Sequence, residues 1–366
     1  MSSAKTGAGC FVLIVFSALV SAFFCLHALR FIPTSLTGID PHVPPVVQPE
    51  PPPDPDKYKS QAGSLREFAR SETADAYTLR YGFIDHHGKD HRITCQISKQ
   101  DHQRESEAFG YVRDQIQSRM NASLLIYLKR ELEKRNLALY FRFKMQGFGG
   151  YHWTYHLPAD RSAEEDRRLQ VAIADFKRFL DQEFVVKRDQ VEAELYRERG
   201  FVIRKNLIVI DHGGIVLRNQ QPLIRCYEAL KVSGAGYNER QYIGLYLAFF
   251  QEIRYELPPD LQNGKKTQGL YVPTEVLVNG HGDCDSKTLA FCAMMRAFGV
   301  PLLVVDLPHH VLAAVETRPG PGQAFVRLGN RYFVLCEVAG PAKLYPGVEG
   351  NTRVSGNFEY TLIEPR

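Results

Sequence analysis

Several signatures are missing from this chain of 366 residues. There is no Cys-x-x-Cys pair, no RNP-type motif, and no run of basic residues interleaved with aromatics. The formal net charge is only +4. A nucleic-acid binder of this size would carry a basic stripe or one of those motifs, so that class has no support. No repeat of a few tens of residues appears, which removes solenoids and propellers. The seven cysteines are odd in number and scattered, which is not a disulfide framework, although a single bridge stays open. A hydrophobic fraction of 44% and a charged fraction of 23% are those of an ordinary globular protein, with room for two domains and extras.

Residues 10–29 are apolar, with His27 as the sole titratable group. A run of about 20 such residues can cross a bilayer as a helix. It is longer than a signal-peptide core and lacks a clear cleavage site, so an uncleaved anchor is expected over residues 1–32. A short leading tail before a long following region favours keeping the tail in the cytoplasm. The expected location is therefore a bacterial inner membrane, single-pass, with the folded part in the periplasm. Residues 33–56 are dense in proline, which favours extended polyproline II and a semi-rigid spacer.

Two regions follow. Residues 57–200 read as an α+β domain of unknown role. They comprise a hairpin over 77–98, a helix over 101–135, two strands within 137–156, and a charged helix from 162 to about 199. His86, His87 and His91 in the hairpin suggest a metal, but three histidines around Lys89 read better as a polar turn. Residues 201–366 begin with a strand at 207–210 and helices over 223–232 and 238–255, the second capped by Asn238. A helix from Cys284 to about Phe298 precedes strands at 302–306, 310–316, 324–328 and 331–338, with a further strand at 358–363. A helix followed by an antiparallel sheet is an α+β arrangement.

The chemistry concentrates at Gly282-Asp283-Cys284-Asp285-Ser286-Lys287-Thr288. A cysteine at the first turn of a helix sits near unpaired N–H groups and the positive end of the dipole, which favours a thiolate. Its polar neighbours suggest a cleft wall, whereas Cys292 in the apolar middle of that helix reads as structural. His310 opens an apolar strand and can project a base, and the adjacent His309 would point to the opposite face. Glu337, after the run from Tyr332 to Cys336, is the expected orienter of the imidazole, with Asp306 as its rival. Asn279 and Tyr271 are candidate oxyanion donors. A metal site from His281, Cys284 and His310 falls short of a recognised zinc spacing, so no metal and no cofactor are expected.

These residues resemble the transglutaminase-like superfamily, whose core is papain-like. The features are Phe250 to Tyr255, Pro273 to Leu277, Gly282 to Lys287, Met295 to Pro301, His310 to Val315 and Tyr332 to Glu337. The resemblance implies a nucleophile helix packed on an antiparallel sheet. It also implies Cys284 as nucleophile, His310 as base and Glu337 as orienter. Leu312 stands where members usually carry an aromatic, and Glu337 is one carbon longer than the usual Asp. With no calcium-loop pattern, the implied reaction is hydrolysis of a peptide-type amide in a protein or peptide substrate, ahead of cross-linking. The alternative is a catalytically weak or inactive binding or scaffold protein of the envelope that keeps the fold.

Overall fold

The computed structural model describes residues 65–340, 343–350, 354 and 358–365. These residues lie in one compact unit, Pro45–Arg366. The expected anchor at 1–32 and the proline-rich spacer at 33–56 lie outside the described residues. Among the described residues no helix is long and apolar enough to cross a membrane.

A three-stranded antiparallel sheet comes first: β1 (Glu67–Glu72), β2 (Ala76–Ile84) and β3 (Asp90–Ser98). Alternation along β3 is strict, with His91, Ile93, Cys95 and Ile97 buried and their neighbours exposed, as a half-buried strand requires. Where one helix is expected over 101–135, there are two, α1 (Lys99–Ala108) and α2 (Arg113–Lys134). The break follows from Gly110, at φ +85°, and from Tyr111, whose backbone bridges Lys266. The hairpin β4 (Phe141–Gln146) and β5 (Gly150–Tyr155) precedes α3 (Ala163–Glu198), which opens on a capping box between Ser162 and Glu165. Helices α2 and α3 pack antiparallel along one another, with Arg119 paired to Glu198 and Arg135 to Asp175.

The chain continues through β6 (Phe201–Arg204), β7 (Leu207–Ile210), α4 (His212–Asn219), α5 (Ile224–Ser233) and α6 (Glu239–Glu252). Short elements follow: β8 (Arg254–Tyr255), β9 (Leu261–Gln262), β10 (Lys265–Lys266), α7 (Pro273–Asn279) and β11 (His281–Gly282). Helix α8 (Cys284–Ala297) is buried from Ser286 to Arg296 without a break. A helix apolar on all sides belongs in a core. It packs against α4 to α7 on one side and against β12 (Leu302–Leu307) and β13 (His310–Glu316) on the other. Those strands join β14 (Phe325–Leu328), β15 (Arg331–Cys336) and β16 (Glu359–Ile363) in a five-stranded antiparallel sheet ordered β14-β15-β13-β12-β16.

One continuous apolar core runs from Leu79 to Ile363, so residues on both sides of position 200 share it. A second cluster, including Leu303, Leu312, Phe333 and Leu335, covers the other face of the five-stranded sheet. Cys95 of β3 and Cys226 of α5 form a disulfide across 131 positions. Five cysteines outside the first apolar run do not announce that pair, because their partners are set by tertiary contact between β3 and α5.

Candidate active site

Cys284 opens α8, and Asp283 is the N-cap, its Oδ1 accepting from the Ser286 N–H at 3.0 Å. Just before it, Gly280 closes α7 at φ +69°, and a Cβ there would approach the Phe68 ring to 2.8 Å. Only glycine suits both the left-handed conformation and that contact. The turn delivers β11 into a parallel pair with β8, in the register Gly282↔Tyr255. That pairing brings Tyr255, 48% exposed, to the mouth of the site, where burial and then the charges of Cys284, Asp283 and Asp285 raise the pKa of its phenol.

Cys284 is half-buried. Its Sγ–H donates to Asp285 Oδ1 at 3.1 Å, while the backbone of Val311 acts to lower the thiol pKa. Burial pushes the thiol strongly upward, the charge and hydrogen bond of Asp285 add to this, and Asp283 adds further. The expected bias toward a thiolate is therefore reversed in the resting arrangement. A helix N-terminus contributes on the order of 1 kcal/mol, whereas desolvation can shift a buried group by several pH units. Asp283 is itself pushed up to about 6 by burial, with the charge of Asp285 raising it further and its hydrogen bonds to Ser286 opposing.

His310 and Glu337 meet directly: His310 Nε2 lies 2.7 Å from Glu337 Oε2. The sheet register explains why. Ala313 pairs with Cys336, so one step further sets Glu337 across from Leu312, two residues along from His310 on the same strand face. The extra carbon of Glu337 is accommodated by a local bond, its Oε1 accepting from the Ala339 N–H at 3.2 Å. Burial alone would lower the His310 pKa. The hydrogen bond and charge of Glu337, with the charge of Asp285, outweigh it and raise the imidazole. Val311 follows His310, and its carbonyl accepts from the Thr288 hydroxyl of α8 at 3.2 Å, so the strand of the imidazole packs on the helix of the thiol. Among the described residues no hydrogen bond joins Cys284 Sγ to His310.

The alternatives occupy other places. His309 is not a strand residue facing the opposite side but an exposed turn residue at φ +63°. Asp306 faces His212, with Oδ1 and Nδ1 3.3 Å apart. Asn279 Oδ1 accepts from Arg70 at 3.2 Å, and the Tyr271 N–H donates to Ser286 Oγ at 3.0 Å. The histidines of the first hairpin diverge: His91 bonds Asp85 at 2.9 Å, His86 bonds Gln251 at 3.1 Å, and His87 is exposed. Among the described residues, Asp283, Cys284 and Asp285 have ligand atoms within 4.8 Å of one another. Neither His281 nor His310 belongs to that group, and both carboxylates already serve the helix cap and the thiol.

Sequence reasoning missed two residues here. Tyr255 carried no mark beyond its place at the end of the run from Phe250, because a two-residue parallel pair sets it across from Gly282. Lys287 reads as one of several polar flanks, yet it is 0% exposed. Its neighbourhood at Cys284 +3, one helical turn inward, was the available sign.

Residues 230–307 match the family model of the transglutaminase-like superfamily. The match covers α6, the loop to α7, helix α8 and the first strand of the sheet, and ends just before His310. No curated protein and no solved structure matches the chain.

Proposed function

We propose that this chain, with its transglutaminase-like segment at 230–307, is a cysteine-nucleophile acyl-transfer enzyme acting on a peptide-type amide. The observation that carries the reading is the His310–Glu337 pair at 2.7 Å, set one residue from Val311, whose carbonyl takes the Thr288 hydroxyl of the Cys284 helix at 3.2 Å. Glu337 holds Nε2, which leaves Nδ1 as the nitrogen for proton transfer. The thiol swings from Asp285 to that nitrogen, gives up its proton, and the sulfur attacks the amide carbonyl. The Cys284 N–H at the start of α8 and the Tyr255 phenol are placed to stabilise the oxyanion. The His310 proton passes to the leaving amine as the C–N bond breaks, giving a thioester. Water, deprotonated by His310, then cleaves the thioester to a carboxylic acid and free thiol. Hydrolysis is preferred to transfer onto an amine, and the substrate class is a protein or peptide.

The Cys95–Cys226 disulfide supports the periplasmic location proposed from the apolar run at 10–29, since such bonds persist in oxidising compartments.

A second reading, a binding protein without turnover, is favoured by the thiol's bond to Asp285 and its raised pKa. One experiment separates the two. The soluble part from Asp56 is treated with an iodoacetamide probe, an amide-bearing electrophile, and labelling of Cys284 is followed by mass spectrometry across pH. An enzyme shows labelling that rises as His310 loses its proton and falls at least about tenfold in His310→Ala, as for loss of a positioned base. Equal rates in both proteins would sink the acyl-transfer reading.

A further inference from the structure

Lys287 lies one turn into α8 from Cys284 and is fully buried. A lysine without solvent needs acceptors, and it has them at two separate walls of the site. Nζ donates to the carbonyl of Ile253 at 2.7 Å and to that of Ala339 at 2.7 Å. Ile253 is the C-cap of α6 and leads directly into β8, which carries Tyr255. Ala339 is the residue whose N–H holds Glu337 Oε1. One ammonium thus ties together the nucleophile helix, the strand of the phenol and the turn of the carboxylate.

The charges acting on it are negative, with the Lys343 ammonium on Glu252 as a second cation nearby. Burial pulls the amine down to about 7, while Glu337, Asp283, Cys284 and Glu252 act to raise it. Asp283 and Asp285 belong to the same helix, Glu252 to α6, Tyr255 to β8, His310 to β13, and Glu337 follows β15. Lys343 pairs with Glu252 and His310 with Glu337, both less buried than Lys287, and of the carboxylates Asp285 and Asp283 oppose a thiolate at Cys284.

We propose that Lys287 is a positioning residue of the Cys284 site: its ammonium joins three walls of the site and supplies the positive charge against which the thiolate forms. This rests on the acyl-transfer reading for its purpose, while its test reads only the titration of Cys284. The pH midpoint of Cys284 alkylation is compared in wild type, Lys287→Met and Lys287→Gln. Glutamine keeps two N–H donors without the charge, and methionine keeps neither.

Both variants are expected to raise the midpoint by about one pH unit, which is a tenfold slower reaction at pH 7. Lys287→Gln keeps a melting temperature nearer wild type than Lys287→Met. A structural role alone would alter melting but leave the midpoint in place, and midpoints overlaying wild type in both folded variants overturn the proposal. Should neither fold, the Lys287 amine is titrated by lysine-selective nitrogen-15 NMR in wild type and in Glu337→Gln. A lower Lys287 midpoint in the variant supports the coupling, and an unchanged one overturns it. The His310→Ala arm described above reports separately on acyl transfer, so the two ideas can fail independently.

Discussion

Glu337 does two things at once: one oxygen faces His310 and the other takes the Ala339 N–H. The charge of Glu337 raises the imidazole pKa, and this has a sign that can be measured. A histidine whose folded pKa lies above its unfolded value, about 6.5, stabilises the fold below that value. The contribution is lost as pH rises through the folded pKa. Glu337→Gln removes the charge, so its melting temperature should fall further below wild type at pH 5.5 than at pH 8.5. The His310 ring, followed by proton NMR, should titrate lower in the variant. An equal drop in melting at both pH values would mean that Glu337 serves packing alone. At this scale the sequence was informative where a residue type and its position agree, as for His310 and Glu337, expected to pair and lying 2.7 Å apart. It was silent where chemistry depends on contact, as with the Asp285 bond that turns the expected thiolate bias around.

Elements with strong periodicity were readable. The hairpin over 77–98 became β2 and β3, the charged helix from 162 became α3, and the strand run after Pro301 became the five-stranded sheet. The failures share a cause. The break between α1 and α2 depends on Tyr111 bridging Lys266, more than 150 positions away, which no local pattern records. Helices α4 and α7 are short, at 8 and 7 residues, so neither completes the period that a pattern search needs. The β8–β11 pair has two residues per strand and is invisible without its partner.

Helix α6 shows how an element can serve the site at a distance. Gln251, buried in its last turn, donates to the carbonyls of Glu337 at 2.7 Å and Leu344 at 3.0 Å, and accepts from His86 Nε2. Gln251→Leu leaves two buried carbonyls and a ring N–H unpaired. A stability loss of about 2–4 kcal/mol is expected from urea denaturation, since each orphaned buried group costs roughly 1–3 kcal/mol. Less than about 0.5 kcal/mol, the range of a neutral surface change, would show that the network bears no weight.

For the whole molecule, the first sheet is part of the frame that holds the site. Tyr81 of β2 donates to the Leu277 carbonyl of α7, Lys343 donates to the Ile84 carbonyl at 2.9 Å, and the Cys95–Cys226 bond joins β3 to α5. That cross-link spans 131 positions, for which chain-entropy reasoning gives about 5 kcal/mol as an upper value. Reduction should therefore lower the urea midpoint clearly, and Cys95→Ala with Cys226→Ala should reproduce the shift. A midpoint insensitive to reductant would indicate that the two thiols are not joined in solution.

The same bond alters what a break in the backbone means. Helices α1, α2 and α3 and the hairpin of β4 and β5 all lie between Cys95 and Cys226. These elements thus belong to a covalent ring closed by the disulfide. A peptide bond cut anywhere in that ring opens the loop but severs nothing, and Cys284, His310 and the first sheet stay on one molecule until the disulfide is reduced.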